Sequence, residues 1–395
     1  MYAEREEPIG TVLYIGGFEL PDGNAAAQRV IGNARLFTDL GYQVVFLATS
    51  PESFPGLRTT KYLGFDCYET SGTNARLGVA IRGLYDISAL TAVVEEIGHV
   101  DIVIAYNYPA VALARLNRYC RRTGIRCVGD VTEWYGTAGR SIVYRLVKGF
   151  DSALRMRLVH RSLDGLIVVS EYLEEFYSGT LRTLRLPPLV DSQDDKWSQH
   201  HPSGSERFTL IYAGSPNRTK ERLDLVIRAV WNVSRMYPVV LDVVGITREE
   251  YAAHYPGTSL PPESCGAIRF WGRLPHSKAI ELVARANASV VVRDENRVTR
   301  AGFPTKVVES ITCGTPVIGS SHSDLQGVLT AGRNGVLVSL DALESDLTRI
   351  VQSGLCIDVN RSEFDYREYR PQTAIFLHSV LSQRRASAGD LMESA

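Results

Sequence analysis

"RDENRVTRAGFPTKVVESITCGTPVIGS", Arg293–Ser320, passes from a polar run through a turn into an apolar helix and out into a strand. Pro304 suits the first position of a helix, where its missing N–H would have no partner anyway. Val307, Val308 and Ile311 recur at helical spacing and mark the core side. Gly314 stops the helix and Pro316 blocks its continuation. Thr305, Lys306 and Glu309 fall at i, i+1 and i+4, so they share one side of the first turn and a half. Free amides at a helix N-terminus with Lys306 beside them favour a phosphate. Glu309, one turn further on, offers a carboxylate to a ribose diol. Gly302 lets the backbone approach such a ligand closely. A capped helix with a surface Lys306–Glu309 ion pair would account for the same pattern.

Working outward, the same half of the chain alternates strands and helices. FTLIYAG (208–214), VVLDVVG (239–245), AIRFWG (267–272), ASVVVR (288–293) and TPVIGS (315–320) read as strands, with the amphipathic helices ERLDLVIRAV and SKAIELVARA between them. The first half repeats the architecture without repeating the sequence. TVLYIGGF (11–18) precedes a helix whose Ala27, Val30, Ile31, Ala34, Phe37 and Leu40 lie on one face, and YQVVFLATS, DIVIAYN, RCVGDV and DGLIVVS follow as strands. Strands apolar on both faces, alternating with helices, predict parallel sheets covered by helices. The polar, aperiodic run DSQDDKWSQHHPSGSE (191–206) reads as a linker. The expected organisation is an α/β protein with two doubly wound, Rossmann-like domains, 8–190 and 208–363, and a linker over 191–207. A C-terminal helix over 364–385 crosses back to the first domain, and a disordered tail covers 386–395. A ligand cleft then lies between the C-terminal edges of the two sheets.

Composition supports two domains. The chain has 395 residues, enough for two cores at 45% apolar content. A formal net charge of -1 argues against a general nucleic-acid binder. No run reaches the roughly 18 apolar residues a membrane span needs, and the acidic start MYAEREEPIG lacks a signal-peptide core. Six cysteines without a CxxC pair fit a reduced, cytoplasmic protein. No GxGxxG follows any strand and no Walker A motif occurs, which argues against dinucleotide oxidoreductases and P-loop enzymes. No Asp-x-Asp pair or His/Cys cluster suggests a metal, and no cofactor is expected.

A second anion signal precedes the first in the chain. Gly214 ends the strand FTLIYAG, and Arg218 and Lys220 sit in the loop before the next helix, suited to a diphosphate. A solvated basic loop has the same composition.

The ordered set GSPNRTK, VVG, FWGRLPHSKAIELVARANASVVV and GFPTKVVESITCGTPVIGS, over roughly 208–340, resembles the donor-binding domain of family 4 glycosyltransferases of the GT-B fold. The first half is similar more loosely, through Gly16 and Gly17 after strand 1 and a Leu-Gly-Tyr-x-Val stretch. The resemblance implies that Lys220 contacts a donor diphosphate and that Glu309 holds the ribose. It implies that Gly302, Phe303 and Pro304 form the loop beneath diphosphate and sugar, and that Gly16 and Gly17 approach donor phosphate and acceptor. Gly214, Ser215, Gly245, Arg273, Thr305 and Lys306 complete the donor-side set. The chain departs from the family pattern at Ala301, where a glutamate is expected, and at Ser215, where an arginine is expected and Arg218 is the substitute. The loop GDVTEWYG lacks the usual histidine and offers Asp130 and Glu133 to orient an acceptor hydroxyl.

The implied reaction is transfer of a glycosyl unit from a UDP- or GDP-sugar to a glycan or lipid-linked acceptor, with retention of configuration, in bacterial surface polysaccharide synthesis. Lys220 and Arg218 would stabilise the leaving diphosphate. Residues 140–161 carry Arg140, Arg145, Lys148, Arg155, Arg157 and Arg161 against one Asp, with apolar residues between, and suit peripheral contact with an anionic membrane. Two rivals share the fold: a nucleotide-sugar epimerase, and a catalytically silent subunit supporting a partner transferase.

Overall fold

The computed structural model describes residues 7–21, 23–71, 85–134, 142–197, 206–216, 220–321, 323–330 and 332–382. Arg218, Arg140, the middle of the expected linker and the expected tail lie outside them.

The first sheet is built from β1 (Gly10–Gly16), β2 (Tyr42–Ser50), β3 (Leu57–Tyr62), β4 (Phe65–Ser71), β5 (Ile102–Tyr106), β6 (Arg126–Val131), β7 (Gly165–Val168) and β8 (Thr183–Arg185), in the order β3-β4-β2-β1-β5-β6-β7-β8. Val12, Leu13, Tyr14 and Ile15 of β1 are all 0% exposed, as a central strand covered on both faces requires. β1 runs parallel to β2 on one side and to β5 on the other, so the winding direction reverses there. The helix Ala25–Asp39 follows β1, capped by the Asn24 side chain, which accepts from the Ala27 amide at 2.9 Å. The β3–β4 hairpin was not legible as strands. It is antiparallel and half-exposed, and polar side chains such as Arg58 and Lys61 stand where core residues would signal it.

The second sheet comprises β9 (Phe208–Ala213), β10 (Val239–Val244), β11 (Ile268–Gly272), β12 (Ala288–Val291), β13 (Val317–Ser320) and β14 (Gly335–Val338), ordered β11-β10-β9-β12-β13-β14. All its pairings are parallel, and the reversal falls at β9, between β10 and β12. Both reversal points point their C-terminal ends at the space between the sheets, where open α/β sheets take ligands.

Two segments tie the halves together. The helix Arg370–Leu381 lies on the first sheet, with Phe376, Leu377 and Val380 in the cluster that holds Val12, Val128 and Ile167. The stretch just before it packs on the other half, where Phe364 is buried with Val291 and Val307. The start of the expected linker is docked rather than free. Trp197 is 6% exposed and its indole N–H donates to Asp191 O at 2.7 Å, while Ser192 Oγ donates to Asp365 at 2.5 Å. A buried tryptophan and a paired serine are invisible in an aperiodic polar run.

Candidate active site

The cleft between the sheets measures about 760 Å³. Its second-domain wall begins where β9 and β10 end. A side chain on Gly245 would meet the carbonyl oxygen of Gly214 at 2.4 Å, and Gly245 has φ +109°, so only glycine fits. A side chain on Gly214 would meet the Lys306 side chain at 3.1 Å. The two bare positions open the floor to Lys306, which reaches up from the first turn of the helix Thr305–Cys313.

Lys306 does not pair with Glu309. Its ammonium lies 2.7 Å from Glu221 and 4.1 Å from the centre of the Tyr212 ring. Glu221 also accepts the Tyr212 hydroxyl and stands 3.5 Å from the Arg293 guanidinium. All four side chains are buried. Burial lowers the pKa of Lys306 and of Arg293 from their ordinary values, against the pull of Glu221 on both. For Glu221, burial alone would raise the pKa. Lys306 and then Arg293 outweigh it and hold the carboxylate below its usual range. Burial also pushes the Tyr212 hydroxyl well above its ordinary value, so it stays neutral. Glu309 accepts a contact from His276 Nε2 at 3.0 Å instead.

The first-domain wall carries Glu133, Thr132, Tyr106 and Arg29, with Asn24, Ala25 and Gln28 from the start of the first helix. Glu133 reaches across to Lys220, 3.5 Å away. Behind it, Asn107 Nδ2 donates to Thr132 Oγ1 at 2.6 Å, and that hydroxyl donates to the Tyr106 hydroxyl at 3.2 Å.

The structure therefore brings Gly214, Ser215, Lys220, Gly245, Arg273, Gly302, Phe303, Pro304, Thr305, Lys306, Glu309 and Glu133 to one cleft. Arg273 stands at its rim, its side chain 79% exposed and 3.8 Å from Glu250. One expected site residue is sealed off from the cleft. Asp130 is 0% exposed, bound by Arg29 at 2.7 Å and by the Tyr14 hydroxyl, so it cannot meet an acceptor. A side chain on Gly16 would meet Tyr106 at 2.9 Å, and Gly17 faces open space. The glycine at 16 thus serves the packing of β1 on β5. Arg155 leaves the expected basic face, being 1% exposed with its guanidinium donating to Asn107 O at 2.9 Å.

Ala301 explains one departure from the family pattern. It is 0% exposed and belongs to the apolar cluster of the first domain, with Trp134 and Val169. Around it, Arg297 lies 4.7 Å from the Trp134 ring and Arg300 lies 4.7 Å from the Tyr172 ring. This loop is a seam between the domains. Arg293, Glu221, Tyr212 and His276 escaped the sequence reading. The apolar strand stretches that contain Tyr212 and end in Arg293 hinted at two of them, but nothing in the spacing joined them to Glu221.

Residues 207–353 match the family model described as "Glycosyl transferases group 1". No curated protein sequence matches the chain. Among solved structures, sucrose-phosphate synthase from Thermosynechococcus elongatus aligns with TM-score 0.68 at 14% identity, over 94% of this chain and 99% of that one. Anabaena HepE in complex with UDP and glucose aligns with TM-score 0.62 at 15% identity, over 94% and 100%. The lipopolysaccharide outer core galactosyltransferase WaaB aligns with TM-score 0.60 at 13% identity, over 93% and 99%. The fold is GT-B, and the matched domain together with that fold supports a glycosyltransferase.

Proposed function

We propose that this protein transfers a sugar from a nucleotide-sugar donor to a glycan or lipid-linked acceptor, with retention of configuration, as family 4 enzymes do. The observation that carries this reading is the cleft itself. Lys220, Lys306 and Arg293 gather at the end of one parallel sheet, beneath two glycines that leave room for a diphosphate, with Glu309 a turn away for the ribose. HepE structures hold UDP and UDP-glucose on the same fold, which favours a UDP-sugar here.

In this scheme the anomeric bond to the diphosphate breaks as positive charge builds on the sugar ring. Lys220, with Arg218 from its loop, stabilises the charge that develops on the leaving group, an effect of about 3 kcal/mol for one well-placed donor. Glu133, on the facing wall, orients the acceptor hydroxyl, and closure of the two domains limits loss of donor to water. No metal and no cofactor enters the scheme.

The acceptor side favours a lipid-linked molecule. On the helix Ile142–Leu154 and the turn after it, Leu146 is 69% exposed, Phe150 70% and Leu158 65%. Arg145, Arg157 and Arg161 stand exposed among them. Apolar side chains mixed with cations suit the surface of an anionic bilayer. Among the described residues no helix is long and apolar enough to cross a membrane. We place the protein at the cytoplasmic membrane face, in surface polysaccharide synthesis.

Calorimetric titration with UDP, GDP and ADP tests the reading, beside the Lys220→Ala and Glu309→Ala variants. Micromolar binding of one nucleotide, weakened in both variants, is the expected result. Binding of none sinks it. Binding without turnover of any sugar donor would turn the reading to a silent GT-B subunit.

A further inference from the structure

The floor of the cleft holds more buried positive charge than negative. Arg293 and Lys306 are 8% and 9% exposed. Among the described residues, Glu221 is the carboxylate that ion-pairs with either. One of its oxygens takes both, with Lys306 at 2.7 Å and Arg293 at 3.5 Å, and its other oxygen is occupied by Tyr212. Lys306 has the short contact. Arg293 is left at a distance well beyond the 2.7–2.9 Å typical of a charge-assisted hydrogen bond. Its Nε is buried with no acceptor. Two cations thus share one anion away from water, an arrangement that is unfavourable unless a further anion arrives.

The backbone holds Arg293 at the cleft. Its amide donates to Ser320 Oγ at 2.8 Å, and the same hydroxyl donates back to the Arg293 carbonyl at 3.0 Å. This clamps the residue just past β12 to the end of β13, and the side chain leaves that pinned backbone to line the cleft. A planar guanidinium suits two oxygens of one phosphate better than a point charge does.

We propose that Arg293 is a diphosphate-binding residue of this cleft, and that a bound phosphate supplies the counter-charge missing from the Arg293–Lys306–Glu221 cluster. This rests on the nucleotide-sugar reading of the same cleft. Lys220, half-buried in the loop after β9, and Arg293, buried at the floor just past β12, then grip one diphosphate from the same sheet end.

The test uses the full chain with UDP, UMP and inorganic pyrophosphate as calorimetric probes, and thermal melts without ligand. Arg293→Met removes the surplus charge and leaves the Lys306–Glu221 pair balanced. It should melt at or above the wild type, yet bind UDP about ten- to a hundredfold more weakly, the loss of one charge-assisted contact. Arg293→Lys should fall between the two, and UMP should lose less than UDP. Two results overturn the inference while leaving the nucleotide reading intact. In one, Arg293→Met binds UDP as the wild type does. In the other, it melts well below the wild type and weakens UMP, UDP and pyrophosphate alike, which marks a purely structural arginine. A wild type that binds none of UDP, GDP and ADP removes the nucleotide reading itself, and the inference with it.

Discussion

The Lys220 ammonium lies 3.5 Å from a carboxylate oxygen of Glu133, and the two side chains come from opposite walls of the cleft. Both are about a third exposed, so the contact is loose and accessible. A phosphate arriving at Lys220 competes with Glu133 for the same charge. Glu133→Gln should therefore bind UDP a few-fold more tightly than the wild type while transferring sugar more slowly. Lys220→Ala should bind it roughly tenfold more weakly. Calorimetry and a turnover assay on the same preparations read both effects.

Glu309 is tied to His276, its carboxylate oxygen 3.0 Å from Nε2. That contact aims the carboxylate into the cleft, where a ribose diol would meet it. Glu309→Ala should cost UDP binding about 1–3 kcal/mol, the worth of hydrogen bonds to a charged acceptor. Pyrophosphate, which has no ribose, should bind the variant as it binds the wild type. Equal losses for both probes would contradict the assignment.

Ala301 sits where the family pattern has a glutamate, and here it is packed against the first domain's core. Installing the glutamate should not restore anything. Ala301→Glu buries a carboxylate among apolar side chains and should lower stability by several kcal/mol. A melt of the variant checks this, and an unchanged midpoint with raised activity would refute it.

Asp130 belongs to the scaffold. Arg29 binds it at 2.7 Å from one side and the Tyr14 hydroxyl from another, all three groups buried. Asp130→Ala leaves the Arg29 charge unpaired and should cost roughly 3–5 kcal/mol in denaturant unfolding.

Acid should destabilise the first domain through His160. The ring is 2% exposed and its Nδ1 meets the Tyr177 hydroxyl at 2.7 Å. Burial, and then the nearby Arg155, push its pKa well below the ordinary 6.5, so the folded protein keeps it neutral. The unfolded chain takes up a proton that the folded one refuses. The contribution of this neutral histidine is therefore whole above pH 6.5 and declines as the pH falls from there towards the folded value. The slope is at most about 1.4 kcal/mol per pH unit. Melts between neutral and mildly acidic pH should show the loss, and His160→Asn should flatten it.

Local pattern was enough for the alternation of strands and helices, the glycine-ended strands and the turn Gly302–Lys306, because apolar periodicity and backbone conformation are properties of neighbouring residues. It also placed Lys220 at the cleft, in the loop that follows a parallel strand's end, and Glu309 on the first turns of the helix that opens there. Partners were a different matter. Lys306 has Glu309 three residues on but pairs with Glu221, 85 positions away in the chain. Asp130 and Glu133 are close in sequence, yet one is sealed behind Arg29 and the other faces the cleft. Gly16 is a glycine for the sake of Tyr106, and Ala301 is small because the other domain packs on it. Which charges are buried together depends on how two sheets and their loops meet, and that is settled by packing across the chain rather than by order along it.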